Sequence, residues 1–267
     1  MNKYRCIMTV LAASMAAANI VPAERIVWPG EHMNLDGTRR GPHYVYMTRE
    51  ERTRQIEHFR NDPKGRKEFE DIQKRANGTL DGEAEEGKAL VLAYLVTKDR
   101  KYFDAWRRRW LAEANRLNTL FPTAMDLAKD YGPRNFFIWG NPGMAWDYDR
   151  LAEHLDDREE RLFRWQLKRY CDALRIWKVD RKNVTGQGEG TNMAARTISL
   201  TSPQWYAIGY DECIQWALTH EPAEDGRDGA GGLVQWMRPM RDKRVWGEAP
   251  IYQWYVGEGI MYLAERA

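Results

Sequence analysis

The chain of 267 residues is 43% hydrophobic and 30% charged, a composition that permits a packed core and argues against long disordered segments. Its 41 basic residues face 39 acidic ones, and two of the basic residues, Lys3 and Arg5, lie in a predicted leader. The mature chain is therefore close to neutral, which argues against a nucleic-acid-binding protein, because such proteins carry a basic excess. The 12 Trp and 13 Tyr either fill the core or offer aromatic faces to sugar rings.

Residues 1–23 have the pattern of an export signal. Two basic residues precede an apolar run over residues 6–21, and Val21 and Ala23 satisfy the small-residue rule before a cleavage site. The run is too short and too rich in Ala and Ser to predict a membrane-spanning helix. We therefore predict a signal peptide, a mature domain over residues 24–267 and a periplasmic or secreted protein. A buried N-terminal helix is the alternative for the apolar run.

The first predicted helices follow an irregular segment and are separated by turn-forming residues. Thr48 and Glu51 have the spacing of a capping box and begin a helix that ends near Asn61. A second helix is predicted over residues 65–76, where the dipeptide Asn77-Gly78 ends it. Both segments carry apolar residues at helical spacing, so each is expected to bury one face.

The next two segments predict a helical hairpin. Residues 83–97 are apolar nearly all round, which is typical of an internal helix. A turn over residues 97–100 separates them from a helix with apolar side chains three and four residues apart. Those side chains are Phe103, Trp106, Trp110, Ala114 and Leu117.

In the second half of the chain, residues 120–142 are rich in Pro and Gly and predict loops. Residues 143–155 and 159–177 predict a second helical hairpin, and further helices are predicted over residues 189–200 and 205–219. No convincing alternating strand pattern occurs in the sequence. Paired helices with short turns on one side and longer loops on the other predict an all-α fold, an (α/α) toroid or incomplete barrel of helical hairpins.

Cys171 and Cys213 are the cysteines of the predicted mature chain. One disulfide between them is an alternative, but both lie in predicted helices and are interpreted as buried thiols. The five histidines are scattered, and the sequence contains no Cys/His spacing typical of a metal site. We predict neither a metal site nor a cofactor.

The most distinctive stretch is residues 236–263. It brings guanidinium groups, a carboxylate and phenols together around a loop at Gly247 and Pro250. Arg presents a planar fork of donors to a carboxylate, and Trp and Tyr present flat apolar faces with a polar edge. The combination suits a site for an acidic sugar, and a helical hairpin with solvated arginines is the alternative. The candidate residues are Arg238, Arg241, Arg244, Trp246, Glu248, Tyr252 and Tyr255.

Four segments, the last of them within residues 236–263, carry a resemblance to a known family. They read YVYMTREE at 44–51, GKALVLAY at 87–94, GMAWDY at 143–148 and WGEAPIY at 246–252. Their order resembles the alginate lyase and heparinase II/III-like superfamily of polysaccharide lyases, and the likeness covers most of residues 44–263. The resemblance implies an α/α toroid that cleaves a uronic-acid polysaccharide, such as alginate or glucuronan, by β-elimination.

Two features depart from the superfamily pattern. Asn192 is followed by Met193, whereas some alginate lyases of the superfamily place His directly after Asn, so His220 becomes the nearest candidate for that role. The chain also ends within a predicted helix over residues 259–267, whereas toroids of the superfamily continue with further helices. We therefore expect a toroid that lacks its C-terminal helices.

The resemblance assigns the chemistry of β-elimination to a small set of residues. The reaction removes the C5 proton of a uronate and expels the C4-linked oxygen. The site must therefore neutralise the carboxylate, supply a base and protonate the leaving oxygen. Tyr252 is expected to serve as base, acid or both, and Asn192 to hydrogen-bond the carboxylate. Arg238 and its neighbours would favour the phenolate form of Tyr252, and His220 completes the catalytic set.

The remaining candidates are expected to bind substrate. Glu248 would orient an Arg or a sugar hydroxyl, and Tyr255 competes with Tyr252 for the catalytic role. Trp139, Trp146 and Trp246 would stack on sugar rings, with packing in the core as their alternative.

Two other functions remain open at this point. A helical glycoside hydrolase acting on uronides would need two carboxylates, about 6.5–9.5 Å apart in an inverting enzyme. Asp147 and Asp149, or either of them with Glu248, would supply that pair. A non-catalytic exported glycan-binding protein is the second alternative.

Overall fold

The computed structural model describes residues 33–82, 86–130, 142–179 and 202–219. Every regular element within these ranges is helical and none is a strand, which confirms the predicted all-α class. A 3₁₀ turn occupies Ala152–His154, and residues 202–207 form a short helix. The other helices are α1 Arg49–Asn61, α2 Pro63–Leu80, α3 Gly87–Thr97, α4 Arg100–Leu120, α5 Ala124–Asp130, α6 Pro142–Leu151, α7 Asp157–Val179 and α8 Asp211–Thr219.

Helix α1 begins at the predicted capping box. The Thr48 hydroxyl accepts a hydrogen bond from the Glu51 backbone N–H at 3.1 Å, and the Glu51 carboxylate accepts one from the Thr48 backbone N–H at 2.8 Å. Two backbone donors of the first turn are thereby satisfied. The helix ends at Asn61, as predicted.

Helix α2 is longer than predicted at both ends. It begins at Pro63, because the Asp62 carboxylate caps the backbone N–H groups of Lys64 and Gly65 at 2.8 and 2.9 Å. The predicted end at Asn77-Gly78 is wrong, since the helix continues to Leu80.

Helix α3 is internal, as its all-round apolar sequence predicts. It begins at Gly87 rather than at residue 83, and it packs against α1, α2, α4 and α6. Lys98 and Asp99 join it to α4, and the Asp99 carboxylate accepts a hydrogen bond from the Lys101 backbone N–H at 3.1 Å. The predicted hairpin is therefore confirmed. Its buried residues are Ala89, Leu90, Val91, Ala93, Tyr94, Leu95 and Val96.

Aromatic side chains from α4, α6 and α7 form one continuous part of the core. The indoles of Trp106 and Trp110 stack at 5.7 Å between ring centroids, and Trp110 lies 4.7 Å from Phe163. Phe163 in turn stacks on Tyr148 at 5.4 Å. These rings are all buried, so the aromatic stripes of α4 and α7 serve packing.

Several predicted boundaries in the second half need correction. The segment 120–142 contains helix α5, which packs against α7, and the helix predicted over residues 143–155 ends at Leu151 and continues as a 3₁₀ turn. The helix predicted over residues 205–219 is two helices. Gly209 separates them because its φ of +57° is left-handed, a conformation that favours glycine.

The cysteine and membrane predictions have separate outcomes. Cys171 and Cys213 are free and buried, which confirms their interpretation as buried thiols. Within the described ranges, no helix is both long and apolar enough to cross a membrane. The predicted signal peptide lies outside the described residues.

Candidate functional site

Helix α6 carries the predicted site residue that the structure describes, Trp146. The other candidates lie outside the described residues, and their roles stay predictions. They are Trp139, Asn192, His220, Arg238, Arg241, Arg244, Trp246, Glu248, Tyr252 and Tyr255.

Two cationic side chains lie against the indole of Trp146. The guanidinium carbon of Arg150 is 3.8 Å from the ring centroid, and the ammonium nitrogen of Lys88 is 5.7 Å from it. Arg150 reaches the ring because residues four apart share one helix face, whereas Lys88 comes from the first turn of α3. Trp146 is half-buried against the core, and Lys88 is exposed. Both cations attract the negative face of the indole.

Asp147 places a carboxyl group inside the protein. Its Oδ2 accepts a hydrogen bond from the indole N–H of Trp106 at 2.9 Å, while its buried Oδ1 finds no hydrogen-bond partner among the described residues. Burial raises the pKa of this carboxyl to about 7, against the opposing effects of the Trp106 hydrogen bond and the charges of Lys88 and Arg150. Asp147 therefore exchanges a proton near neutral pH, as a general acid or base does.

Asp149 is fully buried and is held by two other parts of the chain. The Nη2 of Arg52 lies 3.2 Å from the Asp149 Oδ2 and also donates a hydrogen bond to the Asp149 backbone carbonyl at 2.9 Å. The backbone N–H of Val45 donates to Oδ1 at 3.2 Å. These contacts satisfy the carboxylate and link α1, α6 and the segment before α1.

Arg150 is a second buried cation on α6, with a relative exposure of 3%. Its Nε and Nη1 find no hydrogen-bond partner among the described residues. Burial lowers its pKa to about 10, and the charge of Arg52 acts in the same direction. With this pKa the guanidinium remains charged at pH 7.

The two carboxyl groups of α6 are held by different parts of the chain. Residues two apart on a helix point to different faces, and here Asp147 contacts Trp106 of α4 whereas Asp149 contacts Arg52 of α1. The arrangement can hold a proton at Asp147 and place positive charge beside Trp146.

Sequence reasoning missed Arg52, Lys88 and Arg150. The spacing of Trp146 and Arg150 is a local signal that could have identified Arg150. Arg52 has no such signal, because 97 positions separate it from Asp149.

No family model, curated protein or solved structure matches the chain. Among the described residues, no group of three or more His, Cys, Asp or Glu side chains is placed to hold a metal ion.

The raised pKa of Asp147 predicts a pH-dependent stability. Between the unfolded pKa near 3.9 and the folded value of about 7, the folded protein keeps a proton that the unfolded chain has lost. Stability is therefore greatest below the unfolded pKa and falls as pH rises to about 7, by up to about 4 kcal/mol from this group. We expect Asp147→Asn to reduce this dependence of the free energy of unfolding on pH.

Urea unfolding at several pH values measures the effect. Asp104→Asn is the matched control, because Asp104 is exposed and paired with Arg100 on the same helix. If the free energy of unfolding changed with pH in the same way in the wild type and in Asp147→Asn, the raised pKa of Asp147 would be contradicted.

Proposed function

We propose that the protein is a polysaccharide lyase that cleaves a uronic-acid polysaccharide by β-elimination. The observation that carries the proposal is the pairing of Trp146 with Arg150 and Lys88. The exposed ammonium of Lys88 beside the half-buried indole suits an acidic sugar ring, because such a ring offers an apolar face and a carboxylate, while the buried Arg150 stacks on the indole. Trp146 lies in the segment GMAWDY and Lys88 in GKALVLAY, two of those that resemble the lyase superfamily.

The helix arrangement also supports the proposal. Helices α1 to α4 pack in succession, α3 contacts four neighbours, and α5 and α6 both pack against α7. Consecutive helical hairpins are the building units of an (α/α) toroid, the scaffold that we propose. We further propose that residues 1–23 direct export and that the mature protein acts on an acidic polysaccharide in the periplasm or outside the cell.

The proposed mechanism uses the residues named from the sequence. Asn192 and an Arg neutralise the uronate carboxylate, which makes the C5 proton more acidic. Tyr252 removes that proton and protonates the leaving oxygen. No cofactor is required, because both proton transfers use protein side chains.

The hydrolase alternative is weakened by the position of Asp149. A catalytic carboxylate must reach the glycosidic bond, whereas this carboxylate is fully buried and engaged by Arg52 and Val45. The hydrolase would then require Asp147 together with Glu248.

A screen of acidic polysaccharides tests the proposal. The protein is incubated with alginate, glucuronan and glycosaminoglycans, and the ultraviolet absorbance of unsaturated uronate is followed. We expect absorbance to rise with at least one polymer, because β-elimination creates a conjugated double bond. New reducing ends without absorbance would indicate hydrolysis, and binding without either product would indicate a glycan-binding protein. Each of these results would overturn the lyase proposal.

A further inference from the structure

A cleft of about 360 Å³ lies between the segment before α1 and the turn that precedes α8. Its volume is within the range of small-molecule sites, at the low end. The cleft has an aliphatic part, two phenol rings and a charged rim. Its lining residues are Arg39, His43, Tyr44, Val45, Tyr206, Gly209, Asp211 and Ile214.

Backbone and side-chain contacts of Arg39 hold the two walls together. Its backbone N–H donates to the Ile208 carbonyl at 2.7 Å. Its guanidinium donates to both carboxylate oxygens of Asp211, with the Nη2–Oδ1 distance at 3.0 Å. A Cβ on Gly209 would lie 3.0 Å from both Arg39 Nε and His43 Nε2, so glycine permits this close approach.

The conformation of Tyr44 is unusual and is held from several sides. Its φ of +55° is left-handed, which costs a non-glycine residue about 1–3 kcal/mol. Its hydroxyl accepts a hydrogen bond from Arg49 Nε at 2.7 Å, and the Arg52 guanidinium carbon lies 4.8 Å from its ring centroid. These contacts keep Tyr44 at the wall of the cleft, and strained residues held in this way concentrate at ligand sites.

The chemistry of the lining selects one class of ligand. Val45 and Ile214 with the two phenol rings match the C–H face of a sugar ring. The Arg39–Asp211 pair offers donors and acceptors side by side, which matches vicinal hydroxyls. An added carboxylate would meet the Asp211 carboxylate, whose pKa the Arg39 hydrogen bond lowers, so that it stays ionised at neutral pH.

We propose that this cleft binds a neutral pyranose residue. The proposal goes beyond the lyase function, because a lyase requires only a uronate at its reacting centre. It implies that the glycan contains neutral sugars besides uronate, and that the protein holds one of them in this cleft. The Asp211 carboxylate accepts from the sugar hydroxyls, and the Arg39–Asp211 pair carries no net charge with which to attract a carboxylated ring.

Calorimetric titration of the full chain with cellobiose, mannobiose, galactobiose and glucuronate tests the proposal. We expect at least one neutral disaccharide to bind more tightly than glucuronate. Asp211→Asn is expected to weaken neutral-sugar binding about tenfold or more, the loss of one charge-assisted hydrogen bond. The same change should strengthen glucuronate binding, because it removes a negative charge and frees Arg39.

The opposite changes expected in the two affinities separate recognition from structural damage, because damage would weaken the binding of both ligands. Glu113→Gln is the matched control, since Glu113 also forms an exposed ion pair, with Arg116, and should leave both affinities unchanged. Failure of every neutral disaccharide to bind, or an equal effect of Asp211→Asn on both ligand classes, would overturn the proposal. Neither result depends on turnover, so the lyase proposal is tested independently by the absorbance screen.

Discussion

Tyr252→Phe is expected to slow formation of the unsaturated product by about 10²–10⁴-fold, the usual contribution of a positioned proton-transfer group. The change removes one hydroxyl and keeps the aromatic ring, so the fold should persist. In the proposed mechanism the hydroxyl, as phenolate, takes the C5 proton and, as phenol, protonates the leaving oxygen, so its removal stops both transfers. The measurement is the initial rate of ultraviolet absorbance increase on the polymer that the wild type cleaves.

Tyr255→Phe is the matched control for this prediction. It makes the same chemical change three positions along the chain, and we expect most of the activity to remain. Circular dichroism of both variants checks that the helices are retained. Full activity in Tyr252→Phe would contradict the assignment, and a large loss in Tyr255→Phe alone would move the catalytic role to Tyr255.

Asn192→Ala provides an independent test of the same mechanism. The amide is proposed to stabilise the charge that develops on the uronate carboxylate, so its removal should reduce turnover as well. A hydrolase built on Asp147 and Glu248 gives the opposite result, because changes at those carboxylates would abolish activity while Tyr252→Phe would be mild.

Helix boundaries could be predicted where a local signal determines them. Thr48 and Glu51 begin α1 through bonds within four residues, and Asp99 begins α4 in the same way. The predicted end of α2 failed because a tertiary contact outweighed local preference. The Asn77 side chain accepts a hydrogen bond from the buried Tyr102 hydroxyl at 2.9 Å, and Gly78 continues the helix.

In the candidate site, too, contacts between residues distant in sequence could not be predicted. The sequence places Asp147 and Asp149 on one helix, and the helix period puts these two carboxyl groups on different faces. It does not reveal that Asp147 meets Trp106 or that Asp149 meets Arg52, because partners distant in sequence are chosen by packing. The distinction between a proton-exchanging carboxyl and a structural one therefore required the fold.

Arg52→Met is expected to lower the free energy of unfolding at pH 7 by about 3–5 kcal/mol, the usual cost of leaving a buried charge without its partner. Met preserves most of the apolar stem of Arg52, so the loss reflects the charge rather than packing. Asp149 would keep the Val45 N–H and the field of Arg150 but would lose its direct ion pair. Urea unfolding followed by circular dichroism measures the change.

Arg116→Met is the control for Arg52→Met, because Arg116 pairs with Glu113 at the surface and such pairs contribute about 0–1 kcal/mol.

The double variant Arg52→Met/Asp149→Asn removes the unpaired buried charge, while the amide oxygen of Asn can still accept a hydrogen bond from the Val45 N–H. We expect it to be less destabilised than the sum of the two single variants, and simple additivity would contradict a direct ion pair. Asp149 is then a structural carboxylate, and any loss of activity on its replacement should follow the loss of folded protein.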